Sequence, residues 1–533
     1  MDTTAYYTGL LILYSRCAIH GIEDDEEVIA ESGGVHWIPI PRGRMTEPIS
    51  REELGQHNKD GDLWIALNGK VYDFSDFPSS HPGGPEVIYR YAGQDASEEY
   101  NTFHAPELVK STLGADKMVG HLLDVATAGS DAVKPTSSVK DQKPLLDELI
   151  NLYDLEEVAK RTLTAKAWAY IDGASNDNLT CRFNNRVLRH IWFRPAVMRG
   201  VRYVNMSTTL FGCKLDAPIY ISPTAAVSVA GTDGELAQAR GAASSGIIAT
   251  IPNMASHPLE DILDATPERA FFQLYVSNDR QQSEDIVRKV TAPGKIKAIF
   301  VTVDSPVVSK READERTKGN LSSVNPYKGS SPAAAATTAS RKGPPRGGFA
   351  RQSGQQVDPS ISWSDLAWLR SITDLPLVLK GVQRHEDAVK AMELGFEGIV
   401  LSNHGGRAAD NALPAILTLL ELHRNCPQVF GAMEILVDGG FRRGSDVVKA
   451  ICLGASAVGL GRPFMYSVMY GQEGTERVVD ILKDEIRTCM QLIGICDLFA
   501  DASPDYLITG EIDHLVRSGQ HPYAKKITRR SRI

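Results

Sequence analysis

The sequence predicts an α/β fold in which a (β/α)8 barrel, the TIM barrel, follows a small α+β domain. Three observations lead to this prediction. The chain has 533 residues, of which 42% are hydrophobic and 23% charged, a composition typical of a folded globular protein. In its larger part, eight short apolar runs alternate with helical stretches. A separate patterned segment precedes them and is followed by small polar residues.

The eight apolar runs have the length of strands, and each pair is separated by enough chain for a helix. Alternating strands and helices form a parallel sheet, and eight such units close into a barrel. An open doubly wound sheet is the alternative, but the number of runs favours the barrel. The runs are Pro218–Ser222, Gly246–Ile251, Phe271–Val276, Ala298–Asp304, Leu377–Gly381, Gly398–Asn403, Ile435–Gly440 and Ala457–Gly461.

Polar residues and glycines gather at the end of each run. In a barrel these positions meet at the carboxyl ends of the strands, where barrel enzymes have their active sites. The pattern therefore predicts the active face before any motif is considered.

Overall charge argues against a nucleic-acid partner, because the net charge is −9 and the isoelectric point is near 5.9. The apolar stretch at residues 5–14 is shorter than the ~20 residues of a membrane span, so we expect none. Seven scattered cysteines without a CxxC motif indicate free thiols in a reducing compartment. We therefore expect a cytoplasmic protein; the mitochondrial intermembrane space and the peroxisome are the alternatives.

Composition also divides the chain. We expect a disordered leader at 1–45, although Met45 could be the true start, and a small domain at 46–124. A polar linker at 125–143 leads to the barrel at 144–525, which contains a low-complexity, mobile insert at 318–356. A basic tail, 526–533, ends the chain.

Two histidines of the small domain stand in turn motifs: His81 in His-Pro-Gly-Gly and His104 in Phe-His-Ala-Pro. A b-type haem takes two neutral imidazoles on opposite faces of its iron, and glycine turns let backbone approach a flat ring. The segment resembles the cytochrome b5-like haem-binding domains. The resemblance implies haem b as cofactor, with His81 and His104 as its axial ligands.

An acid–base set stands at the ends of the predicted strands or just past them, with Tyr275, Asp304 and Lys380 each expected to end a strand. His404 can take a proton near neutral pH, and a carboxylate such as Asp304 beside it would fix its tautomer. Arg407 offers a planar fork for a carboxylate, and Lys380 a cation to offset charge on an electron-accepting ring. Tyr275 could hydrogen-bond a substrate oxygen.

Glycine-rich turns follow the last two runs, in Asp438-Gly-Gly-Phe-Arg-Arg and Gly459-Leu-Gly-Arg-Pro. Backbone amides of such turns, together with arginines, form the phosphate site of many barrels. The turns therefore predict a phosphate-bearing cofactor beside the acid–base set.

The barrel resembles the FMN-dependent α-hydroxy acid dehydrogenase and oxidase family through the motifs SNHGGR, FVTVDSP, QLYV, LKGV, VDGGFRRG and GLGRPF. The resemblance implies that His404 is the catalytic base paired with Asp304, assisted by Tyr275 and Lys380. It implies that the substrate is held by Tyr170, Tyr275, Arg311, His404 and Arg407. It implies that FMN is held by Ser222, Gln273, Thr302, Lys380, Asp438, Gly439, Gly440, Arg442, Gly461 and Arg462.

With the haem domain in front, the chain resembles the flavohaem L-lactate dehydrogenases of that family. This implies a small 2-hydroxy acid substrate, electron transfer from FMN to haem b and on to a one-electron acceptor such as cytochrome c, and a homotetramer. An oxidase that uses oxygen, or a dehydrogenase for a larger 2-hydroxy acid, is the alternative. Ile171, where the family often has a second tyrosine, and a shortened loop after the second run are the departures.

Overall fold

A computed structural model describes residues 48–81, 84–106, 108–123, 143–317 and 357–519. The expected leader at 1–45, nearly all of the linker at 125–143, the insert at 318–356 and the tail at 526–533 lie outside the described residues.

The N-terminal domain contains a five-stranded sheet in the order β1-β5-β4-β3-β2. Strand β1 pairs with β5 in parallel, and the other pairs are antiparallel. Its apolar side chains form a core of their own, which includes Leu63, Ile65 and Phe74. The strands are β1 Pro48–Ile49, β2 Asn58–Lys59, β3 Asp62–Leu67, β4 Lys70–Asp73 and β5 Met118–Leu122. The helices are α1 Arg51–Leu54, α2 Pro85–Arg90, α3 Ser97–Phe103 and α4 Leu108–Leu113.

The second domain is a closed barrel of eight parallel strands, as the sequence predicts. The last strand pairs with the first, Val458 lying opposite Ile219, so the barrel has no open edge. Its strands are β9 Ile219–Ile221, β10 Ile248–Ile251, β11 Ala270–Leu274, β12 Ile296–Thr302, β13 Leu377–Val382, β14 Gly398–Leu401, β15 Glu434–Asp438 and β16 Ala457–Leu460.

Several strands end at other residues than the apolar runs suggest. Strand β12 ends at Thr302, so Asp304 lies two residues beyond it, and Tyr275 lies one residue beyond β11. Lys380 lies inside β13 and does not end it. Apolar patterning alone does not mark where backbone pairing stops.

Helices surround the barrel and bury the outward-facing strand residues in one large core. Before the barrel they are α5 Leu152–Thr162, α6 Ala165–Asp172 and α7 Leu179–Arg186. Within it they are α8 Gly234–Ser244, α9 Leu259–Ala265, α10 Arg280–Thr291, α11 Glu312–Arg316, α12 Leu366–Ser371, α13 His385–Glu393, α14 Ala415–Asn425, α15 Gly444–Cys452, α16 Arg462–Ser467 and α17 Gly471–Ile493.

Two small two-stranded sheets complete the domain. Strands β7 Thr208–Leu210 and β8 Cys213–Leu215 form a hairpin that closes the amino-terminal end of the barrel. Its Phe211 ring packs against Phe271 and Phe300. Strand β6 Trp192–Phe193 pairs with β17 Leu507–Ile508. The hairpin leaves only the carboxyl end of the barrel for a site.

No helix of the described residues is both long enough and apolar enough to cross a membrane. The six cysteines among them are free thiols.

Candidate active site and haem site

Inside the barrel, the inward-facing side chains form two layers: one that packs the core and one, closer to the carboxyl ends of the strands, that carries most of the polar groups. Each strand contributes one apolar or small residue to a buried inner layer, which is formed by Tyr220, Ile248, Phe271, Phe300, Val378, Val400, Leu436 and Ala457. Because side chains alternate along a strand, the residue two positions later also points inward, one layer closer to the carboxyl end. That second layer is Ser222, Thr250, Gln273, Thr302, Lys380, Ser402, Asp438 and Gly459.

A cavity of about 200 Å³ opens above this second layer. Its wall includes every predicted catalytic, substrate-binding and FMN-binding residue except Asp304, which is fully buried behind His404. The structure therefore brings together residues that lie up to 292 positions apart, from Tyr170 to Arg462.

The floor of the cavity holds a buried cation. Lys380 Nζ lies 3.4 Å from Asp438 Oδ2 and donates a hydrogen bond of 3.2 Å to Ser402 Oγ. Burial would lower the pKa of Lys380, but Asp438 and Asp304 outweigh it and raise this pKa above its ordinary value. Lys380 is therefore a fixed positive charge at the cavity floor.

Above the floor, His404 and Asp304 form the expected pair: Nδ1 lies 2.8 Å from Asp304 Oδ1. Tyr275 Oη lies 3.4 Å from His404 Nε2, on the cavity side of the ring. Burial would raise the pKa of Asp304, but His404 and Lys380 outweigh it and lower this pKa. Asp304 is thus held ionised, which places the proton on His404 Nδ1 and leaves Nε2 to accept one.

A glycine gives Asp304 the room for this contact. Gly381 has φ of +111°, and a Cβ atom there would lie 2.5 Å from Asp304 Cβ. Such a distance is a clash, and the backbone conformation is one that L side chains rarely adopt.

The turn that carries His404 is held from outside the barrel. His404 itself has φ of +61°, an unusual conformation for a non-glycine residue. The buried Asn403 side chain accepts a hydrogen bond from the Gly406 amide and exchanges two with Asn184 on α7. The His404 amide donates to Ser402 Oγ. These bonds maintain a strained turn, as is common at functional sites.

Two arginines, Arg407 and Arg311, face the same cavity. Arg407 donates to the Ile171 carbonyl at 2.9 Å and lies over the Tyr170 ring. Arg311 is partly buried, and its buried Nε has no hydrogen-bond partner among the described residues. Burial first, and Arg311 second, lower the pKa of Arg407; burial also lowers the pKa of Arg311. Paired buried guanidinium groups favour an anion between them, such as a carboxylate.

The two predicted phosphate arginines are already engaged with the protein. Arg442 Nε donates to Glu156 at 3.0 Å, and Arg462 donates to the carbonyls of Ile171 and Gly405. The glycine turn beside Arg442 is tightly enclosed, because a Cβ on Gly440 would lie 2.4 Å from the Asn184 backbone. Arginine side chains and glycine amides thus lie side by side in the cavity wall, as a phosphate site requires.

These residues fit FMN. Six of the eight second-layer residues line the cavity, where their polar groups can reach the edge of a flat ring. Two buried atoms of the layer, Thr250 Oγ1 and Asp438 Oδ1, have no hydrogen-bond partner among the described residues. Lys380 supplies a cation below, and the glycine turns supply amides at the other end. Sequence reasoning missed Thr250 and Ser402, although the two-residue step from the inner layer would have found both.

Three further residues of the cavity wall were not indicated by the sequence. Met254, Val308 and Ala226 line the cavity near Tyr275. Ile171, by contrast, is fully buried in the core and is absent from the cavity wall; only its carbonyl group touches the site, through Arg407 and Arg462. The residue that departs from the family pattern therefore contributes no side chain to the pocket.

A second cavity, of about 1050 Å³, is lined by residues of both the N-terminal domain and the barrel domain. The His81 and His104 rings face each other across it, with centroids 6.1 Å apart. Apolar side chains line it, among them Leu67, Phe74 and Val109. Burial lowers the pKa of His81, and burial together with His81 lowers that of His104 to about 4. Both imidazoles are neutral at neutral pH, so the cavity fits a haem with two axial ligands.

The two cavities share part of their walls: Ala226, Met254, Tyr275 and Val357 line both. The cavity that fits FMN and the cavity that fits haem are therefore adjacent. Together, fold and sites define an oxidoreductase in which a flavin barrel is joined to a b-type haem domain.

Comparison with known families agrees with this class. Residues 159–509 match the model for FMN-dependent dehydrogenases, and residues 50–123 match that for cytochrome b5-like haem or steroid binding domains. The chain belongs to the FMN-dependent dehydrogenase family and carries an N-terminal cytochrome b5-like domain. Its cofactors are FMN and haem b.

Two relatives match nearly the whole chain, and others match only its larger part. The chain is 38% identical to the L-lactate dehydrogenase (cytochrome) of Saccharomyces cerevisiae, over 90% of this chain and 84% of the relative. The corresponding protein of Wickerhamomyces anomalus is 37% identical, over 90% and 81%. A peroxisomal (S)-2-hydroxyacid oxidase of Arabidopsis thaliana is also 37% identical, but over 68% of this chain and 98% of the relative.

Solved structures give the same result. A flavocytochrome b2 mutant with pyruvate bound matches with a TM-score of 0.61 and 38% identity, over 71% of this chain and 91% of that one. Mandelate oxidase with (S)-4-hydroxymandelic acid matches with a TM-score of 0.59 and 33% identity, over 67% and 98%.

Proposed function

We propose that the chain oxidises an L-2-hydroxy acid, lactate first, to the 2-oxo acid and delivers the electrons to a one-electron acceptor such as cytochrome c. When bound, FMN supplies a two-electron acceptor and haem b a one-electron relay. Each substrate molecule gives two electrons and two protons, so two acceptor molecules are reduced. The observation that carries the proposal is the His404–Asp304 pair beside two arginines of the cavity wall, in a cavity adjacent to the haem site.

In this mechanism the arginines bind and orient the substrate. Arg407 and Arg311 hold its carboxylate, and Tyr170 supports the Arg407 guanidinium by stacking beneath it. Tyr275, 3.4 Å from His404 Nε2, donates a hydrogen bond to the substrate hydroxyl oxygen. This fixes the reacting carbon over the cavity floor.

His404 then moves the proton. Its Nε2 accepts the proton of the substrate, and the imidazolium that forms is stabilised by Asp304, at 2.8 Å from Nδ1. Lys380, at the cavity floor, would stabilise the negative charge of the electron-accepting ring when FMN is bound.

For FMN we propose the residues of the cavity wall that the sequence indicates. Ser222, Gln273, Thr302 and Lys380 hold the ring. Asp438 lies beside Lys380 at this ring end. The phosphate end is held by Gly439, Gly440, Arg442, Gly461 and Arg462. For haem b we propose His81 and His104 as axial ligands.

The substrate, partner and assembly state extend the proposal. Ala226, Met254 and Val308 leave an apolar space that suits the methyl group of lactate, and the flexible Met254 would also admit a larger substituent. We propose cytochrome c as the acceptor and a homotetramer as the assembly, both from resemblance to the relatives, and a cytoplasmic location from the free thiols.

The acceptor decides between dehydrogenase and oxidase. The purified enzyme is assayed with L-lactate, glycolate and L-mandelate, each with cytochrome c under nitrogen and with air alone. We expect L-lactate and cytochrome c to give the highest kcat/KM and little peroxide to form in air. Rapid peroxide formation without cytochrome c reduction would replace the proposal with the oxidase alternative.

The catalytic base is tested by His404→Gln, with unchanged flavin and haem spectra as the control for folding. We expect flavin reduction by lactate to slow by about a hundredfold to ten-thousandfold. A variant that reduces flavin at the original rate would refute the assignment of His404.

A further inference from the structure

An ion pair joins the haem domain to the barrel. Lys166 Nζ lies 3.6 Å from Glu99 Oε1, and the two side chains are 32% and 25% exposed. Lys166 stands in the first turn of α6, and Glu99 stands in α3. Both residues also line the haem cavity.

Each of these helices carries a residue of one cofactor site. Lys166 and Tyr170 are one turn apart on α6, so they lie on the same face of that helix, and Tyr170 lines the flavin cavity. Helix α3 ends directly before His104, the proposed haem ligand. The ion pair therefore connects the helix that leads to the haem iron with the helix that forms a wall of the substrate site.

A second contact lies beside the ion pair. Helix α3 packs against the turn Val227–Val229 of the barrel. This turn directly follows Ala226, which lines both cavities. Any movement of α3 away from the barrel thus separates the two cavities at their common wall.

We propose that the Lys166–Glu99 pair holds the haem domain in the docked position from which it takes electrons from the flavin. The inference rests on the proposed function and adds a positioning role for two residues outside the catalytic set. Partly exposed ion pairs contribute little each, so the pair shifts the balance between docked and undocked domains and leaves folding intact. Salt weakens such a contact, because the charges are screened over about 10 Å at 0.1 M.

The test uses four variants of the full-length holoenzyme. Lys166→Glu and Glu99→Lys each convert the attraction into repulsion, and the double variant Glu99→Lys/Lys166→Glu restores it with the charges exchanged. Lys214→Glu is the matched control for Lys166→Glu. It makes the same lysine-to-glutamate charge change at an exposed position on β8, at the closed end of the barrel. An unchanged haem absorption band reports an intact haem domain in each.

Anaerobic stopped-flow absorbance with L-lactate separates flavin reduction from haem reduction. We expect flavin reduction at the wild-type rate in all four variants. Haem reduction should slow about threefold to tenfold in the two single reversals, should recover in the double variant, and should be unchanged in Lys214→Glu. Small-angle X-ray scattering of the oxidised single variants should give a larger radius of gyration than that of the wild type.

Two results would overturn the docking role: single reversals that reduce haem as fast as Lys214→Glu, or a double variant as slow as the singles. Failure of the proposed function is a different outcome. In that case no 2-hydroxy acid reduces the wild-type flavin, while the scattering of the oxidised variants still reports whether the pair holds the domains together.

Discussion

At the scale of single residues, the site depends on where a barrel strand places a side chain. The step of two residues from the packed inner layer gives Ser222, Gln273, Thr302, Lys380 and Asp438, all of which the sequence motifs also indicate. Motifs and alternation therefore agree for most of the cavity floor. They do not give Met254 or Val308, because these lie in loops, where no periodicity constrains the side chain.

Gly381 provides the first residue-scale prediction. In Gly381→Ala the new Cβ would lie 2.5 Å from Asp304 Cβ, at a φ of +111°, so Asp304 must move away from His404. We expect flavin reduction by lactate to fall about tenfold or more, since Asp304 would no longer orient the imidazole. Stopped-flow absorbance measures the rate of flavin reduction in the variant and in the wild type.

Gly395→Ala serves as the control for that variant. Gly395 also has a positive φ, +77°, but nothing lies within 4 Å of a Cβ there. It should lose about 1 kcal/mol of unfolding free energy through backbone strain alone and keep its flavin reduction rate. Equal loss of activity in both variants would show that strain, and not displacement of Asp304, is responsible.

The arginine pair leads to a prediction about ligand binding. Burial and mutual repulsion lower the pKa of Arg407, so a carboxylate between Arg407 and Arg311 should relieve the electrostatic cost of both charges. We expect oxalate to raise the melting temperature of the holoenzyme, with sodium chloride at equal ionic strength as the control. A melting temperature that does not respond to oxalate would argue against an anion site at these residues.

At the scale of elements, the sequence predicts the barrel well but its boundaries less well. All eight apolar runs overlap a strand of the barrel, because buried parallel strands are apolar along most of their length. The boundaries of runs and strands differ by up to two residues, since the chain leaves the sheet where pairing stops and not where hydrophobicity does. Asp304 illustrates this: it occupies the active face from a loop position two residues beyond β12.

A substitution in the β7–β8 hairpin should change the stability of the protein without changing its activity. Phe211 at its turn packs on Phe271 and Phe300, at the end of the barrel away from the site. We expect Phe211→Ala to lower the free energy of unfolding by about 2–4 kcal/mol through lost packing. The KM for lactate should stay unchanged, because Phe211 packs at the end of the barrel opposite the cavity. Denaturant titration measures the free energy of unfolding, and steady-state kinetics measures the KM for lactate. A raised KM would mean that the hairpin influences the site.

At the scale of the whole molecule, two domains divide one reaction. The motifs around His81 and His104 predict the haem domain from sequence, because ligand turns are local in the chain. The adjacency of the two cavities is not predictable in this way, since it depends on contacts between residues far apart, such as Glu99 and Lys166. The shared wall at Met254 and Tyr275 arises only in the folded protein.

This division predicts the behaviour of a haem-free enzyme. In His104→Ala the haem should be lost, because one of its two proposed ligands is gone. Flavin reduction by lactate should continue at the wild-type rate, whereas cytochrome c reduction should fall at least tenfold. An absorbance spectrum and the two assays check this; a variant that still reduces cytochrome c at full rate would show that the acceptor takes electrons directly from the flavin.

The most direct measurement is a single turnover of the wild-type enzyme, mixed with L-lactate without oxygen and without an external acceptor, and followed at flavin and haem wavelengths. If His404, Asp304 and the arginines oxidise the substrate beside the flavin, and the haem cavity lies against theirs, the flavin band bleaches first and the reduced haem band follows within the same turnover. A flavin that stays oxidised, or a haem that stays oxidised beside a reduced flavin, would contradict the account.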